Sequence, residues 1–250
     1  RSRPTSIATS PPAAGSSPLP GDARAAAVCS APSGVRWRRE LRWDPVDLGW
    51  RIAVLFMVGS LLFALGSFPP YSQLVDPRAV GVTFVVGSVF FTAAAASQLV
   101  ATLATDRSDR LAVCAGCVQL IGTVLFNINT IDALIETLDP QQVRRLVWGP
   151  DLFGSVAFLV ASHLAWLDAC GRPWCMRRDD SDWWVAAVNY LGSIFFMLSA
   201  IASFVLPTTG DALNTAVVNV GTFVGALCFL AGAYLLLPAT APRRARESPA

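Results

Sequence analysis

The chain has 250 residues and a mass of 26.6 kDa; 54% of it is apolar or aromatic, 14% is charged, and the mean hydropathy is +0.51. A water-soluble domain carries about 25% charged residues, so this sequence lacks the polar surface that a soluble enzyme needs. Its formal net charge of +2, with 19 basic residues that are all arginine, supplies no field for holding nucleic acid.

In chain order, residues 1–35 are dominated by Pro, Ser, Ala and Gly without apolar periodicity, the composition of a disordered tail. Ala25-Ala26-Ala27-Val28 is too short for the apolar core of a signal peptide. Residues 36–50 alternate Arg with Trp and are expected to form an interfacial anchor ahead of the first span. A spanning helix needs roughly 20 apolar residues to cross ~30 Å of hydrocarbon. Six stretches are free of charge, at 52–75, 79–105, 111–131, 152–167, 183–210 and 212–242. They predict an all-α polytopic membrane protein with spans near 51–68, 79–103, 111–131, 151–167, 183–206 and 212–237. The fourth is the shortest and carries the single histidine, His163. Residues 238–250 form the C-terminal tail.

Arginine sets the expected orientation. With the N-terminus inside, 16 of the 19 arginines fall on the cytoplasmic side, and only Arg78, Arg144 and Arg145 lie outside. All eight tryptophans sit at or beside a proposed boundary, the headgroup level that this side chain favours. Both ends are therefore expected in the cytoplasm, joined by three tandem hairpins.

Each span carries a variant of apolar-Gly-(Ser/Thr)-x-x-Phe. The pattern starts at Gly59-Ser60, Gly87-Ser88, Gly122-Thr123, Gly154-Ser155 and Gly192-Ser193, with Phe four residues after each Gly. The sixth span departs, with Gly221-Thr222 followed by Gly225 where Phe is expected. Intervals between the glycines are 28, 35, 32, 38 and 29, alternating short and long, which pairs spans one with two, three with four and five with six. Lipid supplies no hydrophobic force between helices, so small residues that let backbones approach are the natural packing device. Phe at i+4 lies on the face of the glycine, one turn on. These G-S-x-x-F hairpins resemble the YrhK-like domain, a two-helix membrane module of bacterial proteins, most closely at 150–166 and 191–205. The resemblance implies tandem membrane hairpins and carries no catalytic residue over to this chain. The Ala- and Arg-rich, Lys-free composition resembles that of a GC-rich bacterium, so a bacterial plasma membrane is the expected location.

Polar residues within the spans fall into two levels. Gln98, Gln119, His163 and Asn189 lie toward the cytoplasmic side; Asn127, Asn129, Asp132, Asn214 and Asn219 lie toward the outer side. Intramembrane polar groups are the default functional candidates. For His163 the plain reading is a neutral imidazole bonded to Asn or to backbone, and the chemical one a proton relay. Asp132 shares a helix face with Asn129 and Glu136, as a wetted interface or as cation ligands. Cys114 and Cys117 precede the third span's centre, and Cys170 and Cys175 follow the fourth, so four thiolates on one side present a zinc hypothesis beside the plain one of small packing residues. No nucleophile–base–orienter set, phosphate loop or zinc-helix motif is present in the sequence. The expectation is a non-enzymatic membrane module without cofactor. Its partners would be the lipid bilayer and a second copy or another membrane protein, with no nucleic acid. A small-solute or ion transporter is the first alternative, and a membrane redox or metal-binding protein the second.

Overall fold

Every long helix begins on a side chain that closes its open end. Four backbone N–H groups at a helix start have no partner within the helix, and an Asp or Asn oxygen at the cap can take one. In this computed structural model, which describes residues 43–171, 175–178 and 180–237, the caps are Asp47, Asp76, Asp109, Asp139, Asp180 and Asn214. Asp47 accepts from the Trp50 amide at 2.7 Å, Asp109 from Ala112 at 3.0 Å and Asn214 from Val217 at 3.1 Å. Pro77 and Pro140 follow their caps, where a missing N–H removes nothing.

The resulting elements are α1 (Leu48–Ser67), a short α2 (Pro69–Leu74), α3 (Pro77–Thr105), α4 (Arg110–Asp132), α5 (Pro140–Cys170), α6 (Ser181–Ala202) and α7 (Thr215–Leu236). All but α2 are long and apolar enough to span a bilayer, so the chain is an all-α polytopic membrane protein of six spans. Among the described residues the only extended pairing is one bridge, Val205 to Ala212, which closes the α6–α7 turn. The expected tails at 1–35 and 238–250, the anchor up to residue 42, Arg172 and Trp174 lie outside the described residues.

The fourth span corrects the sequence expectation. Predicted near 151–167 as the shortest, α5 runs over 31 residues from Pro140. Its start is fixed by a capping box in which Asp139 accepts from the Gln142 amide and Gln142 Oε1 accepts from the Asp139 amide, both at 2.9 Å. Residues Val143–Trp148 form a π-helical stretch within it. A criterion of zero charge stopped at Asp151, yet a helix can carry Arg144, Arg145 and Asp151 near a membrane boundary. The fifth span ends earlier than expected, at Ala202, because the chain turns into the Val205–Ala212 bridge.

Neighbouring helices pack as the glycine intervals predict. α1 lies on α3, α4 on α5 and α6 on α7, and the hairpins join through α3–α4 and α5–α6. Contact between α7 and α1 closes the six spans into a ring. Within each hairpin the motif glycines face one another. A Cβ added to Gly59 would lie 3.1 Å from the Gly87 carbonyl oxygen, one on Gly122 3.2 Å from Gly154 O, and one on Gly192 3.0 Å from Gly225 O. The backbones therefore touch at three places, one in each hairpin and at equivalent positions of the sequence repeat. The sixth-helix motif is thereby corrected: its glycine is Gly225, followed by Ala226 and, four residues on, Phe229. Gly221 packs one turn earlier, against Ser199 and the Phe195 carbonyl of α6.

The motif also sorts its residues by face. Gly and the following small residue point inward in all six spans, whereas the next position faces out: Leu61, Val89, Val124, Val156, Ile194 and Leu227 are all exposed. With lipid as the surrounding solvent, such a rim of aliphatic side chains is the expected outer surface.

Candidate functional site

Six phenylalanines, one from each span, meet on the ring axis. Phe63, Phe91, Phe126, Phe158, Phe196 and Phe229 are all buried, with Phe158 only 2% exposed. Ring centroids lie 5.4 Å apart for Phe63–Phe91, 5.2 Å for Phe126–Phe158 and 5.2 Å for Phe196–Phe229, the three pairs within hairpins. Contacts between hairpins run from 5.5 Å for Phe158–Phe229 to 6.5 Å for Phe158–Phe196. Offset and edge-on geometries dominate, as ring quadrupoles favour. Five of the six rings fit because the partner helix has no Cβ there, Phe126 against Gly154 being the looser one: an added Cβ would meet Phe91 at 2.9 Å from Gly59, Phe63 at 2.9 Å from Gly87 and Phe196 at 2.6 Å from Gly225. Glycine notch and aromatic ring are thus two halves of one packing device.

A cavity lies on either side of this aromatic layer. The larger, of ≈ 440 Å³, opens toward the end of the bundle where α1 begins and α7 stops, the end expected to be cytoplasmic. Gln98, Gln119 and Asn189 line it with Ser162, and Asp168, Arg177, Asp180 and Asp182 are its charged lining. Arg177 and Asp180 form an ion pair at 3.5 Å. The Asn189 amide oxygen is buried without a hydrogen-bond partner among the described residues, set against Gly232 of α7. The second cavity, of ≈ 220 Å³, lies at the opposite end and rests on Phe63, Phe126 and Phe196. Asn129, Asp151, Ser199, Ser203 and Thr222 give it a polar lining.

Hydroxyls tie neighbouring helices together around the layer. Ser88 and Thr130 bond at 3.0 Å across α3 and α4, Ser162 and Ser193 at 2.7 Å across α5 and α6, and Ser199 and Thr222 at 2.8 Å across α6 and α7. Ser60 breaks the pattern. Its Oγ is fully buried with no partner among the described residues, and the place that Ser162 occupies in the repeat is Ala233 in α7.

The structure gathers some of the sequence-predicted residues and scatters others. Gln98, Gln119 and Asn189 converge on one cavity as their shared level suggests. His163 does not join them; it is exposed on the outer face of α5, with its ring 5.8 Å from that of Tyr190. Asn127 donates to Thr92 Oγ1 at 2.7 Å and Asn129 to the Val147 carbonyl at 3.1 Å, so both serve contacts between helices. Asn214 is a helix cap, and Asp132 is the last residue of α4. The four-cysteine zinc centre is not formed. Cys170 and Cys175 are bonded to each other as a disulfide, while Cys114 and Cys117 are free and exposed on α4. Among the described residues no group of three or more His, Cys, Asp or Glu could hold a metal. The disulfide also departs from the expectation of reduced thiols; five residues of sequence around the Gly171 turn bring the two sulfurs together.

Asp151 is the residue that sequence reading missed. A charge-free stretch that begins at residue 152 leaves it outside the fourth span, but with α5 starting at Pro140 it stands inside a helix and on the cavity wall. Comparison with known proteins adds no relative: no family model matches the chain, and neither a curated protein nor a solved structure does.

Proposed function

We propose that this chain is a non-enzymatic module of a bacterial plasma membrane, of the kind its hairpins resemble in YrhK-like domains. It acts through its helix surface on lipid and on a membrane-embedded partner, a second copy included. The observation that carries this reading is the layer of six phenylalanines, which fills the axis between the two cavities. Interior hydroxyls bond to neighbouring helices, an arrangement suited to holding a scaffold rigid. Small-solute or ion transport is the second reading, favoured by one specific feature: polar cavities face each other across that layer.

Flux through reconstituted liposomes separates the two. The purified chain, incorporated into liposomes with an ion-sensitive dye and tested for solute-driven swelling, is expected to leak no more than protein-free vesicles. Saturable flux above that background would overturn the module reading in favour of transport.

A further inference from the structure

We propose that the ≈ 220 Å³ cavity beyond the phenylalanine layer is a binding site for a small organic ammonium ion, with Asp151 as its counter-ion. The site goes beyond the module reading and does not depend on whether the bundle ever opens.

Residues from all six spans line this cavity, so it lies on the ring axis rather than in a surface groove. Among the described residues, Asp151 is the only charged one in its lining. That carboxylate accepts one hydrogen bond, from Ser203 Oγ at 3.0 Å, and makes no ion pair among the described residues. A carboxylate on the wall of an interior cavity, held by one hydrogen bond and without a cation, is a candidate counter-ion position.

The remaining lining decides the ligand's chemistry. Hydroxyl hydrogens around the cavity are already committed to the protein. Ser199 donates to the Val218 carbonyl at 2.9 Å and is paired with Thr222; Thr130 donates to the Phe126 carbonyl at 2.8 Å; Ser203 is held between Asp151 and the Ala200 carbonyl. Asn129 spends one of its two amide hydrogens on the Val147 carbonyl, which leaves its oxygen as an acceptor and one N–H besides. The lining is therefore a carboxylate with a surplus of acceptor lone pairs over free donors. An anion finds repulsion there, and a neutral alcohol finds acceptors but no charge to match. An ammonium group brings three donors and the missing charge.

The other wall is aromatic. Phe63, Phe84, Phe126 and Phe196 line it with aromatic carbon, a surface for an apolar body, and any ring face presented there attracts a cation. A dry cavity of about 150 Å³ holds benzene, so this one accommodates a ring or short alkyl chain carrying one ammonium. A single carboxylate limits the ligand to one positive charge.

Calorimetric titration of the full chain in detergent micelles, with empty micelles as blank, tests the proposal using benzylammonium, benzyl alcohol and benzoate as probes. Saturable one-to-one binding of benzylammonium is expected, at least ~10-fold tighter than either of the other two. The isosteric Asp151→Asn variant should weaken benzylammonium by a similar factor while its unfolding temperature shows that it remains folded. Equal affinity for the alcohol, undiminished binding to Asp151→Asn, or absence of saturable binding would overturn the proposal. Displacement of benzylammonium by an equal concentration of sodium chloride would overturn the assignment to an organic cation. Comparing the three probes on the unaltered chain keeps the test decisive should the variant fail to fold.

Discussion

Replacing Gly225 by alanine puts one methyl group at the tightest point of the aromatic layer. The new Cβ would stand 2.6 Å from Phe196 Cδ1, 2.9 Å from its Cε1 and 3.0 Å from the Gly192 carbonyl oxygen. Phe196 has little room to retreat, because Phe229 lies 5.2 Å away, Phe126 6.0 Å and Phe63 6.1 Å. Overpacking of this kind costs ~1–3 kcal/mol, against which alanine's better helix propensity returns at most ~1 kcal/mol. A 2.6 Å approach belongs in the upper half of that range, so a net loss of about 1–2 kcal/mol remains and should lower the unfolding temperature by roughly 2–8 °C for a chain of this size. Gly154→Ala is the internal control. Its added Cβ would meet the Gly122 oxygen at 3.3 Å, Leu125 Cβ at 3.5 Å and Phe126 only at 3.6 Å, so it should cost clearly less than Gly225→Ala. Tryptophan fluorescence during thermal unfolding in micelles reads both variants. If Gly225→Ala unfolds at or above the temperature of Gly154→Ala, the notch-and-ring reasoning is wrong.

Phe158→Ala should be the most damaging truncation in the layer, costing ~3–5 kcal/mol in the same unfolding assay, since that ring is the most deeply buried. Ser60→Ala should be neutral or stabilising because its hydroxyl has no partner among the described residues, whereas Ser193→Ala removes the 2.7 Å bond to Ser162 and should cost ~0.6 kcal/mol. A double-mutant cycle over Ser162 and Ser193 checks the second value. Asp139→Ala should lower stability by ~1 kcal/mol through loss of the capping box, measured by the same melting curve. For orientation, single cysteines at Ser72 and Thr209 in a cysteine-free chain should react with an impermeant thiol reagent on intact cells, and one at Ser108 only after permeabilisation.

Much of the fold is legible because the solvent is lipid. Charge-free length finds six spans, whereas the Asp and Asn caps that start the helices come from the structure. The glycine intervals showed which spans pair, since close backbone approach needs glycine opposite glycine. The sixth motif was misplaced because a template demanding Ser or Thr after Gly passes over Gly225-Ala226, although Phe229 at i+4 carries the physical signal. His163 could have been set aside on geometry alone. It stands nine residues after Gly154, two and a half turns on, and therefore on the opposite face from the packing glycine. Asp151 was hidden because a charge ended the search window, and only the capping box at Asp139 shows that the helix starts earlier. The disulfide was not legible: pairing of Cys170 with Cys175, in place of a cluster with Cys114 and Cys117, depends on the turn and on α4 presenting its cysteines outward.

Closure of the ring is the claim on which the aromatic layer and both cavities rest, and it requires α1 beside α7 although they stand at opposite ends of the chain. Phe68, just past α1, and Phe223 of α7 stack with ring centroids 5.7 Å apart. Cysteines at these two positions, in a chain whose native cysteines are replaced by serine, should be joined within one molecule by a short bifunctional thiol reagent in native membranes. A crosslinked species at monomer mass is the predicted result. Unlinked chains, or links found only between two chains, would contradict a closed six-helix ring.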